Sequence, residues 1–97
     1  MTEAAANDQE VWDPIVPVTG VRVLGRYVLE ITFDTGEVKM IDLEPDLKGE
    51  IFEPLKADYS LFCQVRVDPD SATIVWPNGA DYSPRTLYAE SKPVVPA

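Results

Sequence analysis

The sequence predicts an α+β domain: a small antiparallel sheet of about five short strands with two or three short helices. Three observations point there. The first half alternates apolar and polar residues with the period of a half-buried strand. The middle is broken by prolines before any long helix could form. The end carries a tight-turn run, Pro77-Asn78-Gly79, and then a serine–proline helix start.

In chain order, residues 1–13 read as a flexible tail that ends at Trp12-Asp13-Pro14. Val16 to Leu24 is rich in β-branched residues, with Val21 and Val23 on one face and Arg22 on the other. Tyr27, Leu29, Ile31 and Phe33 then alternate with Val28, Glu30 and Thr32, so one face of this strand is buried. Asp34-Thr35-Gly36 is a turn, and Glu37 to Leu43 resumes as a strand. A loop with an even residue count would set Phe33 opposite Val38 and Ile31 opposite Met40, keeping apolar groups together. An odd count would set Phe33 against Glu37 and Ile31 against Lys39. The even register is therefore expected.

Asp42 to Gly49 leaves the strand through Pro45 as a loop or single helical turn. Ile51-Phe52-Glu53-Pro54-Leu55 is an apolar patch split by proline, suited to covering the core. Asp58 or Ser60 caps a further short helix that turns Leu61 and Phe62 inward. Val65–Asp68 and Thr73–Trp76 read as two short strands joined by a turn at residues 69–72. Ser83 is an N-cap, Pro84 the first residue of a closing helix, and Leu87 points at the sheet. Lys92 to Ala97 has two prolines and no strand or helical period, so 14–90 is read as one domain and 91–97 as a second tail.

Composition limits the chemistry. The 97 residues include 17 acidic and 8 basic side chains, a net charge of −9, with no histidine. That field repels a phosphate backbone, and the basic residues form no cluster, so direct nucleic-acid binding is not expected. It favours encounter with a basic protein partner. No signal peptide and no run long enough to span a membrane is visible, and the expected location is the cytoplasm. Cys63, the one cysteine, lies among apolar neighbours and is expected to be a buried, inert thiol. Zinc, a cysteine–histidine nucleophile and the glycine-rich phosphate motifs all lack their residues, so no cofactor and no metal is expected.

Two sets of residues are candidates for function. Asp42, Glu44 and Asp46, and likewise Asp68 and Asp70, stand at spacings of two, a pattern that fits solvated turn carboxylates better than a calcium loop. A small-ligand or divalent-metal enzyme would need carboxylates such as Asp42, Asp68 and Asp81 to converge in one pocket. The second set is an aromatic, turn-rich loop: Trp76, Asn78, Gly79, Asp81 and Tyr82, with Tyr88 beyond it. As structure, Trp76 packs, the turn reverses the chain, and the Asp81 carboxylate accepts bonds from turn amides. As function, the same run is an exposed recognition loop.

From about Pro14 to Tyr88 the sequence resembles the bacterial domain-of-unknown-function family numbered 2442. The resemblance rests on Tyr27-Val28-Leu29, Phe33-Asp34-Thr35-Gly36-Glu37, Asp42-Leu43 and Ile51-Phe52-Glu53-Pro54-Leu55. It continues through Phe62, Val65-Arg66-Val67-Asp68 and Thr73 to Asp81, and ends at Leu87-Tyr88. It implies an α+β domain with no established catalytic activity. Some relatives add a helix-turn-helix, for which nothing after Tyr88 has room. Others are encoded beside a second small protein in arrangements suggestive of toxin–antitoxin pairs. The expected function is a non-enzymatic, acidic interaction module, the neutralising half of such a pair, whose partner is a small basic protein encoded nearby. Exposed sheet edges also leave room for a homodimer.

Overall fold

A computed structural model of the chain describes residues 15–94. The N-terminal tail expected over residues 1–13 lies outside the described residues. Strands β1 (Val18–Gly25), β2 (Val28–Phe33) and β3 (Val38–Asp42) form an antiparallel meander. A 3₁₀ turn (Glu44–Asp46) leads to the short helices α1 (Glu53–Ala57) and α2 (Tyr59–Phe62). Strands β4 (Arg66–Asp68) and β5 (Thr73–Val75) pair with each other, helix α3 (Pro84–Glu90) follows, and β6 (Lys92–Pro93) closes. The expected α+β class is present, but its strands divide into two sheets, one ordered β1-β2-β3-β6 and one of β4 and β5. Strand β6 falls in the stretch read from sequence as lacking a strand period. Two residues held by a neighbouring strand need no such period.

A single apolar cluster joins both sheets to the helices. Leu29, Ile31 and Phe33 present the inner face of β2, and Leu55, Phe62, Ile74, Trp76 and Leu87 close over the same core. Asp58 caps α2 as expected, its Oδ1 accepting the amides of Ser60 and Leu61. Ser83 occupies the N-cap of α3 but makes no side-chain cap bond.

The β2–β3 register is the odd one, against expectation. Ile31 pairs with Lys39 and Thr32 with Val38, while the Phe33 amide donates to the Glu37 carbonyl at 2.9 Å. The loop has three residues, Asp34 to Gly36, and Gly36 takes a φ of +93°. A three-residue hairpin loop of this kind needs a left-handed residue at its end, and glycine supplies it without steric cost. The turn suits this register, which also sets Leu29 opposite Ile41, both buried. Val38 and Met40 are left on the outer face, 38% and 42% exposed.

The same loop geometry recurs after β5. The Trp76 amide donates to the Ala80 carbonyl, the Gly79 amide to the Trp76 carbonyl, and Gly79 again has a φ of +93°. A Cβ placed on Gly79 meets nothing within 4 Å, so the only penalty for alanine there is backbone strain. Gly79→Ala is expected to lower stability by about 1 kcal/mol. Gly25, with equal room and no left-handed φ, is the control, and Gly25→Ala should leave the urea midpoint close to that of the parent. Equal losses from the two variants would show that the left-handed backbone is not the cause.

Tyr27 departs from a simple strand reading in another way. It is the second residue of the two-residue turn between β1 and β2, with a φ of +64°. Such a conformation costs a bulky L-residue roughly 1–2 kcal/mol. Burial offsets it: the ring meets Tyr59 and Phe62 edge-on, and its hydroxyl donates to the Lys56 carbonyl.

Candidate functional site

The turn-rich loop is tied into the fold through most of its side chains. Trp76 is only 2% exposed, and its Nε1 donates to the Phe62 carbonyl at 2.9 Å. Both ends of the Asn78 amide are engaged: Nδ2 donates to the Ile51 carbonyl, and Oδ1 accepts the Ala80 amide. The turn-amide acceptor is therefore Asn78, not Asp81 as expected. Asp81 lies one residue past the turn and is exposed, its backbone bridging to Val75. Tyr82 packs edge-on to Phe52 and donates from its hydroxyl to Asp46 Oδ2 at 3.0 Å. Burial, then the bond to the Asp46 carboxylate, raises the Tyr82 hydroxyl well above the ordinary tyrosine range.

Tyr88 belongs to a different cluster. It projects from α3 onto the end of the β2–β3 hairpin, edge-on to Phe33 with ring centroids 5.0 Å apart. Lys39 Nζ sits 3.7 Å from the Tyr88 ring centroid and donates to the Tyr88 carbonyl. The Tyr88 hydroxyl donates to Glu37 Oε1 at 2.6 Å. These contacts are how the odd register accommodates two charged residues on its inner side. Helix α3 gives Lys39 an aromatic face and Glu37 a donor.

The Glu37 carboxyl is held below its ordinary value of 4.5, first by the Tyr88 hydroxyl and then by Thr35. Because the folded value is depressed, this contribution to stability is present above the unfolded value and is lost as pH falls through the folded one. Tyr88→Phe is expected to flatten the acid limb of stability against pH below about 4.5, with little change in shape at neutral pH. Parallel acid limbs in the parent and the variant would exclude this linkage.

The spaced carboxylates serve turns. Asp42 Oδ1 accepts the Glu44 amide, while Asp68 takes the Asp70 amide on Oδ1 and the Ser71 hydroxyl on Oδ2. Among the described residues, no three histidine, cysteine, aspartate or glutamate side chains gather as metal ligands. Asp42 also borders an open cleft of about 740 Å³, where Glu44, Glu53, Lys48 and Lys56 ring a floor that includes Leu47. Cys63 is exposed, a correction to the buried thiol expected from its neighbours. Helix α2 is a single turn whose inward position is taken by Phe62, so the next residue faces out.

Sequence reasoning missed the outer face of the large sheet. Met40 lies between Glu30 and Lys92, and Val38 between Thr32 and the strand end at Val94. Arg22 and Glu30 form a two-bonded ion pair on this face. A second cleft, of about 360 Å³, opens beside Met40 and is bordered by Val28, Asp42, Asp46, Glu90 and Lys92. The missing signal was the register itself, since the expected pairing would have buried Val38 and Met40.

This geometry defines a small α+β domain of two antiparallel sheets, in which the best-formed polar groups hold loops in place. Residues 18–93, from the start of β1 to the end of β6, match the family described as "Protein of unknown function (DUF2442)", and the chain belongs to that family. Neither curated proteins nor solved structures yield a match to the chain. No described helix is long and apolar enough to cross a membrane.

Proposed function

We propose that the chain is a non-enzymatic interaction module of the bacterial cytoplasm, the acidic, neutralising half of a two-protein pair. Its partner is a small basic protein encoded nearby. The observation that carries this reading is charge left uncancelled at the surface. The chain has a net charge of −9, and the contacts among described residues include one ion pair, Arg22–Glu30. The remaining acidic field raises the rate and selectivity of association with a cationic surface. The turn roles of Asp42, Asp58 and Asp68 support a structural use for those carboxylates rather than a catalytic one.

The test is co-expression of the full chain with the product of the adjacent gene, followed by purification on one tag. The expected result is a complex at moderate salt that weakens as salt rises. The reading is lost if no neighbouring product co-purifies and none is toxic when expressed alone.

A further inference from the structure

We infer that the partner docks on the outer face of the large sheet at β3 and β6. The segment that docks there is extended and basic, with alternating apolar side chains. This rests on the basic-partner reading and names the surface it uses.

The first argument is the register. The pairing that buries Ile41 opposite Leu29 turns Val38 and Met40 to the other face, where both are presented to solvent. Val94 lies beside Val38 and is 41% exposed, so the apolar side chains form a patch across two strands rather than single exposures. Strand β6 is two residues long and includes a proline; with the Val94 amide on the Val38 carbonyl it covers β3 from Val38 to Met40 and does not pair with Ile41 or Asp42.

The second argument is the rim. Beside Met40 the cleft carries three carboxylates, Asp42, Asp46 and Glu90, against one cation, Lys92. These carboxylates do not converge as metal ligands, so what complements them is cationic groups spaced along a chain. An extended segment places alternate side chains on one face, at a rise near that of the strand beneath it. Its apolar residues would cover Val38, Met40 and Val94, and lysine or arginine side chains near one end would reach the carboxylates.

Charge also selects among occupants. A second copy would bring the same carboxylates and another net charge of −9. Residues 1–14 carry Glu3, Asp8, Glu10 and Asp13 with no lysine or arginine, so they lack the complementary charge.

The experiment titrates the isotope-labelled full chain with a short synthetic peptide alternating lysine and leucine, following backbone amide shifts. Two control peptides are used, one with glutamate for lysine and one with serine for leucine. Shifts should concentrate on Val28, Val38, Met40, Lys92 and Val94. Met40→Lys, at an exposed position, should weaken binding by at least about tenfold while leaving the circular dichroism spectrum unchanged. Equal binding by the serine peptide would reduce the effect to bulk charge and overturn the proposal. So would shifts on another face, or an unchanged affinity in the Met40→Lys chain. Shifts on this face that depend on protein concentration without peptide would assign it to a second copy, and loss of the face's exposure only when residues 1–14 are present would assign it to that segment. If the adjacent gene product still co-purifies when the peptide arm fails, the docking surface is wrong and the basic-partner reading stands.

Discussion

Phe62→Ala is expected to destabilise the domain by about 3–5 kcal/mol, read as a shift in the urea midpoint. Phe62 is fully buried and lies where three other aromatic rings meet it. Tyr27 meets it edge-on at 5.3 Å, Tyr59 stacks at 6.0 Å, and Trp76 lies tilted at 6.0 Å. Truncation removes the transfer energy of the ring and leaves a hole lined by Tyr27, Tyr59 and Trp76. The strained Tyr27 turn is held in part by packing on Phe62, so its left-handed φ of +64° loses a support at the same time. Small domains typically have about 5–15 kcal/mol in hand, so this one change consumes a large part of the whole. A loss below about 1 kcal/mol would mean that the neighbouring rings close the space, and that the cluster is not the centre of the core.

Trp76→Phe should cost less, about 2 kcal/mol, and for a different reason. The smaller ring keeps much of the packing against Phe52 and Phe62 but cannot donate to the Phe62 carbonyl. That carbonyl retains the Val65 amide at 3.3 Å, which keeps the cost in the low part of the range for a lost buried bond. The two substitutions share a partner, so the double variant should lose less than the two single losses combined. An additive result would show that Phe62 and Trp76 stabilise the domain independently. Asp81→Ala, on the exposed side of the same loop, should stay within about 0.5 kcal/mol of the parent. The contrast separates the half of the loop that holds the core from the half that faces solvent.

The local elements were legible because their causes are local. Proline with Asn78-Gly79 makes a turn wherever it sits, Asp58 caps whatever helix follows it, and the period of Leu29, Ile31 and Phe33 marks a buried face. The candidate loop was legible only as a loop. That Asn78 reaches Ile51, 27 residues earlier in the chain, depends on where α1 lies. Tyr88 was named with that loop, yet it packs on Phe33 and serves Glu37 and Lys39 at the hairpin. The exposure of Cys63 likewise follows from α2 being a single turn, a length that its apolar neighbours do not reveal.

By itself, then, the sequence determined the class of fold, the order of its first five strands and their turns, the acidic character and the absence of histidine chemistry. These depend on composition, periodicity and residues next to one another in the chain. Tertiary structure decided the β2–β3 register, because Lys39 and Glu37 are tolerable on the inner side only once α3 brings Tyr88 over them. It also divided the strands into two sheets and left Val38, Met40 and Val94 in solvent. A side chain's alternatives differ by the neighbours it would meet, and those neighbours are set by packing between elements far apart in the sequence.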